Sequence, residues 1–174
     1  MQAKPEWGTV GADELSATLW RERKQLELLL YRLEAQLLHV RAGHTHWLKF
    51  TAADVEKALE SLQFDTLARN IESSAIAIEW HLSANATLPM IASAAPPGVW
   101  PELLQEHHRE LVLLFKQVET AAAANVEALL MGTLAQADTA DDLAALADDA
   151  NIERALAATR DCSLPLLKEF LGLA

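Results

Sequence analysis

Residues 15–43 read LSATLWRERKQLELLLYRLEAQLLHVRAG, and their apolar residues recur at helical spacing. Leucine and valine return every three, four or seven residues, which places them on one face of a helix with 3.6 residues per turn. That face consists of Leu19, Leu26, Leu29, Leu33, Leu37 and Val40. A helix of about 30 residues is roughly 45 Å long and buries such a face only against other helices. The stretch therefore predicts a rod-like helical protein that works through a surface rather than a catalytic pocket.

Two further stretches repeat this pattern. The second predicted helix runs over about 52–82, and its apolar seam is Val55, Leu59, Leu62, Leu67, Ile71, Ala75, Ile78 and Leu82. The third runs from Pro101 to about Gly132, and its seam is Leu104, His108, Leu111, Phe115, Val118, Ala122, Val126 and Leu129. We expect Asp13 or a nearby residue to cap the first helix and Gly43 to end it in the left-handed conformation.

The connections between these helices are short, which favours antiparallel neighbours. The sequence predicts an all-α fold, an elongated antiparallel bundle of three long helices with short C-terminal helices. We expect an N-terminal tail over 1–12, the bundle over 13–134, and an Ala/Asp-rich segment over 135–174. The alanine-rich faces of that last segment carry little apolar area, so we expect it to dock weakly, or to be mobile and ordered by a partner.

Composition narrows the class of protein. The formal charge of −11 on 174 residues argues against nucleic-acid binding, which needs clustered lysine and arginine. The single cysteine, Cys162, excludes an intrachain disulfide and fits a reducing compartment. The first residues carry no apolar signal-peptide core, and no run of about 18 apolar residues would span a membrane. These features predict a cytoplasmic protein without membrane insertion, either a monomer or a weak homo-oligomer.

Enzymatic alternatives find little support in the residues. His39, His44 and His46 cluster in sequence, but no cysteine or carboxylate nearby completes a metal-ligand set. A di-iron bundle needs Glu-x-x-His pairs, and the chain contains none. We therefore expect no catalytic residue, no metal and no cofactor. A generic helical adaptor and, less favoured, a metal-binding bundle enzyme stay open as alternatives.

The C-terminal half of the third helix carries the functional expectation. Leu130, Met131 and Leu134 extend its apolar face beyond the seam at Val126 and Leu129. This wider face indicates a groove for an amphipathic helix of another protein, read at positions i, i+3, i+4 and i+7. Packing by the C-terminal helices of the same chain explains it equally well, and both occupants are compatible if the tail covers the groove until a partner arrives.

Three segments in order resemble the FlgN-type flagellar export chaperones, in particular their actinobacterial branch. They are LWRERKQLELLLYRLEAQLLHVRAGHTHWL, DVEKALESLQ and AAPPGVWPELLQEHHRELVLLF, and the likeness covers about 15–134. The family implies a cytosolic chaperone without ATPase activity that binds hook-associated proteins before secretion and delivers them to the flagellar export gate.

The resemblance also implies where a client binds. In the family the C-terminal region holds the client, which by position corresponds to Val126, Leu129, Leu130 and Leu134. Met131 and the tail leucines Leu143, Leu167 and Leu171 complete the predicted partner-binding set. The family's gate-contacting tyrosine has no counterpart, since the only tyrosine here is Tyr31 in the first helix, and the tail beyond Ala135 matches nothing in the family.

Overall fold

The computed structural model describes residues 7–136 and 143–174, with side chains described for 11–132 and 146–174. Over these residues the chain forms helices, turns and loops, with no β-strand. The α-helices are α1 (Trp7–Arg41), α2 (Leu48–Glu79), α3 (Leu88–Ala94), α4 (Trp100–Gln136), α5 (Leu143–Arg160) and α6 (Pro165–Phe170). Turns of 3-10 helix lie at Thr45–Trp47 and Asp161–Ser163. The all-α class is confirmed.

The first helix begins earlier than expected. It starts at Trp7, so Asp13 lies inside the helix and the predicted cap there is wrong. Residues 1–6 of the predicted tail lie outside the described part of the chain. Gly11 lies inside this helix and allows a close contact, because a Cβ at this position would lie 2.8 Å from Cδ1 of Ile76 on α2.

The predicted end of α1 at Gly43 is confirmed. Gly43 has φ of 73°, the left-handed conformation that glycine adopts without steric cost. The amide of His44 donates to the carbonyl of His39 at 3.0 Å, and that of Gly43 to Val40 at 3.1 Å. This pair of bonds is the Schellman motif, which satisfies the last carbonyl groups of a helix.

Many side chains of the described C-terminal residues are buried. The fifth helix has 18 residues, so the expectation of short helices alone is wrong. Nine of the side chains that follow the gap in the description are buried: Ile152, Ala155, Leu156, Ala158, Thr159, Cys162, Leu167, Phe170 and Leu171. Small alanine side chains let a helix approach its neighbours closely, and the larger residues between them supply the apolar area that the composition alone underestimates.

The chain divides into two compact units that differ from the predicted ranges. The first unit contains the described residues up to Lys24, Leu62–Leu113 and Pro165–Ala174. The second contains Gln25–Ser61 and the described residues of Leu114–Leu164. The long helices α1, α2 and α4 therefore contribute residues to both units, whereas α5 belongs to the second unit and α6 to the first.

In the first unit the predicted seam of α2 is wrong after Leu62. Leu67, Ile71 and Ile78 are 61%, 72% and 62% exposed. The buried face of this part of α2 is instead formed by Asp65, Thr66, Arg69, Ser73, Ile76 and Ala77. The physical reason is the buried ion pair of Arg69 with Glu22, which keeps the polar face of the helix inside.

The seam of α4 also turns slightly relative to the prediction. His107 is fully buried where His108 was expected, and His108 is half-buried with its Nε2 2.9 Å from the carbonyl oxygen of Leu171. In the second unit Asn125 is buried, while Val126 is only partly buried. Leu104, Leu111, Phe115, Val118 and Leu129 lie in the core as predicted.

Candidate functional site

Several of the predicted partner-binding residues are covered by other residues of their own unit. In the second unit Leu129 is 1% exposed and belongs to a cluster with Leu48, Ala52, Ile152, Ala155 and Leu156, against which Val126 also packs. In the first unit Leu167 and Leu171 are 2% and 1% exposed. Helices of the same chain cover these leucines, so a partner would reach them only after part of the fold opened.

Two of the predicted residues do face solvent. Leu130 is 44% exposed and Met131 is 65% exposed, both on α4 in the second unit. Leu134 and Leu143 lie in α4 and α5, but their side chains are outside the described part of the chain. The surface available from the predicted set is therefore the one around Leu130 and Met131.

Met131 borders a groove of about 440 Å³ in the second unit. Its lining combines the end of α1 with one face of α4: Val40, Arg41, Ala124, Glu127, Ala128, Met131 and Gly132. Ala124, Ala128 and Gly132 follow one another at intervals of one helical turn, so the backbone of α4 is thinly covered there. Arg41 and Glu127 place one charge of each sign in the lining.

A buried polar network supports the helices of this unit. Nε2 of Gln36 donates to Oδ1 of Asn125 at 3.1 Å and to Oγ1 of Thr159 at 2.9 Å. Nδ2 of Asn125 donates to the carbonyl of Leu33 at 2.8 Å, and Oγ1 of Thr51 donates to Oε1 of Gln36 at 3.2 Å. Each partner lies on a different helix, so the network fixes α4 beside α1, α2 and α5. A satisfied buried network of this kind specifies one arrangement of helices.

The sequence pattern did not predict this polar network. The helical period places Gln36 and Asn125 beside leucines and valines, and their spacing alone does not distinguish a buried amide from one at the edge of a seam. A signal existed at Asn125, which interrupts the run AAAANVEALL, where every neighbour on the seam is apolar.

The first unit contains a serine–histidine pair that resembles part of a catalytic triad. Oγ of Ser16 lies 3.0 Å from Nε2 of His107, and the Trp20 ring packs edge-on against the imidazole at 5.2 Å. Desolvation, and secondly the charge of Arg23, lower the pKa of His107 to about 4. Nδ1 of His107 has no hydrogen-bond partner among the described residues, so no carboxylate orients the ring as in a triad.

Burial decides how this pair acts. Ser16 is 8% exposed and His107 is fully buried, so a substrate cannot approach the hydroxyl in the folded protein. A nucleophile needs space beside it for a reacting atom and for donors that stabilise charge. The pair is therefore a hydrogen bond between α1 and α4 that keeps a neutral imidazole in the core.

An ion pair fixes the face of α2 in the first unit. Glu22 and Arg69 both have fully buried side chains, and Nη2 of Arg69 lies 3.0 Å from Oε1 of Glu22. Oγ1 of Thr66 donates to the same oxygen at 3.2 Å, and the guanidinium of Arg69 lies 4.1 Å from the centroid of the Phe170 ring of α6. Buried charges persist only when paired and hydrogen-bonded, so α2 must keep Arg69 inside. This requirement turns Leu67, Ile71 and Ile78 outward.

The histidine cluster does not form a metal site. The rings of His39 and His44 lie 5.8 Å apart and those of His44 and His46 lie 6.1 Å apart, centroid to centroid. Among the described residues, no group of three or more His, Cys, Asp or Glu side chains is placed to hold a metal ion.

Comparison with known proteins identifies no relative. No protein-family model, no characterised protein and no solved structure matches the chain. In the described helices, none combines the length and the apolar character that crossing a bilayer requires.

Proposed function

We propose that this protein binds an amphipathic helical segment of a partner protein and performs no catalysis. The observation that carries the proposal is the groove beside α4, where Met131 stands exposed next to the thinly covered line of Ala124, Ala128 and Gly132. Small residues let a second helix come close, and an exposed methionine adapts its flexible side chain to different apolar partners.

The charges of the groove support an oriented partner. Arg41 attracts an acidic residue and Glu127 attracts a basic one, so a bound helix gains specificity from the order of its charges. The buried network of Gln36 and Asn125 keeps the groove formed before a partner arrives, which lowers the conformational cost of binding.

The client class comes from the sequence resemblance. We propose a cytoplasmic chaperone of the flagellar export pathway that holds the helical terminal segments of hook-associated proteins and presents them to the export gate. The proposal includes an elongated antiparallel bundle of α1, α2 and α4, and it includes no cofactor. Helical segments that later form coiled coils expose an apolar face before assembly, and a groove in a chaperone covers that face.

Binding of labelled peptides tests the proposal. We expect the full-length protein to bind labelled terminal helical segments of hook-associated proteins in a titration followed by fluorescence anisotropy. Met131→Asp should weaken this binding roughly 10-fold or more, because burying one such side chain contributes about 1.5–3 kcal/mol. Leu146→Asp is a matched control, since Leu146 is 62% exposed against 65% for Met131 and does not line the groove.

The outcomes separate the alternatives. Weaker peptide binding by the Met131→Asp variant, together with unchanged peptide binding by the Leu146→Asp variant, would support the groove as the binding site. Equal affinity of all three proteins would show that the groove is not the site. Equal binding of unrelated amphipathic helices would favour a generic helical adaptor over a flagellar chaperone.

A further inference from the structure

A second apolar surface lies on α2 in the first unit. Five residues form it, and we call them the α2 stripe: Phe64, Leu67, Ile71, Ala75 and Ile78. Phe64 is the most exposed of them, at 75%. Within residues 63–78 the exposed side chains are all uncharged, and all of them except Gln63 are apolar. A solvent-facing helix surface normally carries charged residues, so this surface is built for contact.

The stripe cannot be buried by rotating α2 within its own unit. Rotation would carry Arg69 out of its contact with Glu22 and leave a buried carboxylate without its partner. Asp65 adds to the restraint, because its Oδ1 lies 3.6 Å from Nε of Arg21. The ion pairs therefore hold the apolar face outward.

The spacing of the stripe is symmetric about its centre. Counted from Ile71, Phe64 and Ile78 lie seven residues away on either side, and Leu67 and Ala75 lie four residues away. If two copies of the helix pair antiparallel about a two-fold axis at Ile71, Phe64 faces Ile78 of the other copy and Leu67 faces Ala75. Such self-complementarity is what an isologous interface requires, because each residue i meets j and each j meets i.

We propose that the α2 stripe is a homodimer interface, in which two copies of this chain pair antiparallel through α2 about a two-fold axis at Ile71. The interface uses other residues than the groove beside α4, so it stands independently of the client proposed there. The occupant is a second copy because the stripe matches itself in spacing and in size: a larger side chain lies opposite a smaller one in the layers on either side of the axis, and Ile71 meets Ile71 on the axis.

The two flanks of the stripe differ in charge. In an antiparallel helix pair each flank of the seam meets the same flank of the other copy. One flank of the stripe consists of Gln63, Asn70 and Ser74, none of which is charged at neutral pH. The two copies therefore approach on this side without local repulsion. The other flank carries Glu72 and Glu79, which meet the same flank of the other copy, and each chain carries a formal charge of −11. Screening of that net charge should make the dimer tighter at higher salt.

The area suits a weak dimer. Phe64, Leu67, Ile71 and Ile78 together expose on the order of 450 Å² of apolar surface, taking about 200 Å² for a phenylalanine and about 150 Å² for an aliphatic side chain. Two copies would bury on the order of 900 Å² from these side chains, and the flanking residues bring the interface close to the roughly 1,200 Å² at the lower end of specific interfaces. An interface at this lower limit of area is typical of weak association, so we expect a dissociation constant in the micromolar range.

Sedimentation velocity of the full chain at increasing concentration tests the proposal. The mass should rise from that of one 19.1 kDa chain to twice that value. Ile71→Glu sets two carboxylates against each other on the axis and should raise the dissociation constant roughly 100-fold. Leu113→Glu is the control, because Leu113 is 53% exposed in the same unit and lies outside the stripe. Circular dichroism confirms that both variants keep their helicity.

Disulfide trapping tests the register. Ile71→Cys should cross-link with itself, and a mixture of Phe64→Cys and Ile78→Cys chains should cross-link to each other more than either does alone. The native Cys162 is 1% exposed and does not interfere. A chain that stays monomeric well above the expected dissociation constant, or a dimer that Ile71→Glu leaves intact, would overturn the proposal. Preferential self-linking of Phe64→Cys would replace the antiparallel register with a parallel one and equally overturn it.

Discussion

Acidification should destabilise this protein through one buried histidine. The pKa of His107 is lowered from 6.5 to about 4 in the folded chain, because its ring is removed from water and, secondly, because Arg23 lies near. The unfolded chain therefore binds a proton at a pH where the folded chain does not. The stability that His107 contributes is fully present above pH 6.5 and is lost as the pH falls toward 4.

The two pKa values set the size of the effect. The full shift corresponds to about 3 kcal/mol of folding free energy, of which about 2 kcal/mol is lost between about pH 7 and about pH 5. That is a large fraction of the roughly 5–15 kcal/mol that stabilises an ordinary domain. His107 is fully buried, so solvent does not screen the interaction.

Urea unfolding of the wild type and of His107→Gln measures the effect. Glutamine retains a polar group for Ser16 but does not titrate, so its stability should fall less on acidification. The carboxylates that titrate over the same range are common to both proteins and cancel in the difference. An equal loss of stability in the two proteins, or an imidazole resonance of His107 that titrates near its ordinary pKa, would contradict this prediction.

Two further predictions concern buried groups. Arg69→Met should lower the free energy of unfolding by about 3–5 kcal/mol, because it leaves the carboxylate of Glu22 buried without its cation. Adding Glu22→Leu should restore part of the loss in a double-mutant cycle measured by urea unfolding. A mild effect of the single variant would show that the pair is solvated. Burial, and secondly the charge of Asp161, raise the pKa of Cys162 to about 12. A disulfide-exchange reagent at mildly alkaline pH should therefore label this buried thiol only after the protein unfolds. Rapid labelling of the folded protein would contradict the burial of the thiol.

Much of the helical structure was predictable from the sequence. The leucine repeats on α1 and α4 predict these helices and most of their buried faces, since apolar residues at a period of 3.6 lie on one face of a helix and that face packs against the core. Gly43 gave the end of α1, because its left-handed conformation is costly for other residues. Of the residues proposed to bind a partner, Leu130 and Met131 are exposed, while Leu129, Leu167 and Leu171 are covered by the chain itself.

The helical class of the described residues and the positions of the long helices follow from the sequence alone, because the helical period of apolar residues is a local property. Which face of α2 points inward beyond Leu62 depends instead on contacts made in the folded chain. In this part of α2 the apolar pattern favours one face, yet Arg69 on the other face pairs with Glu22, 47 residues away. Leaving a buried charge unpaired costs more free energy than burying three aliphatic side chains gains. A long-range ion pair of this kind leaves no periodic signal in the sequence, so the exposed stripe became visible only in the folded chain.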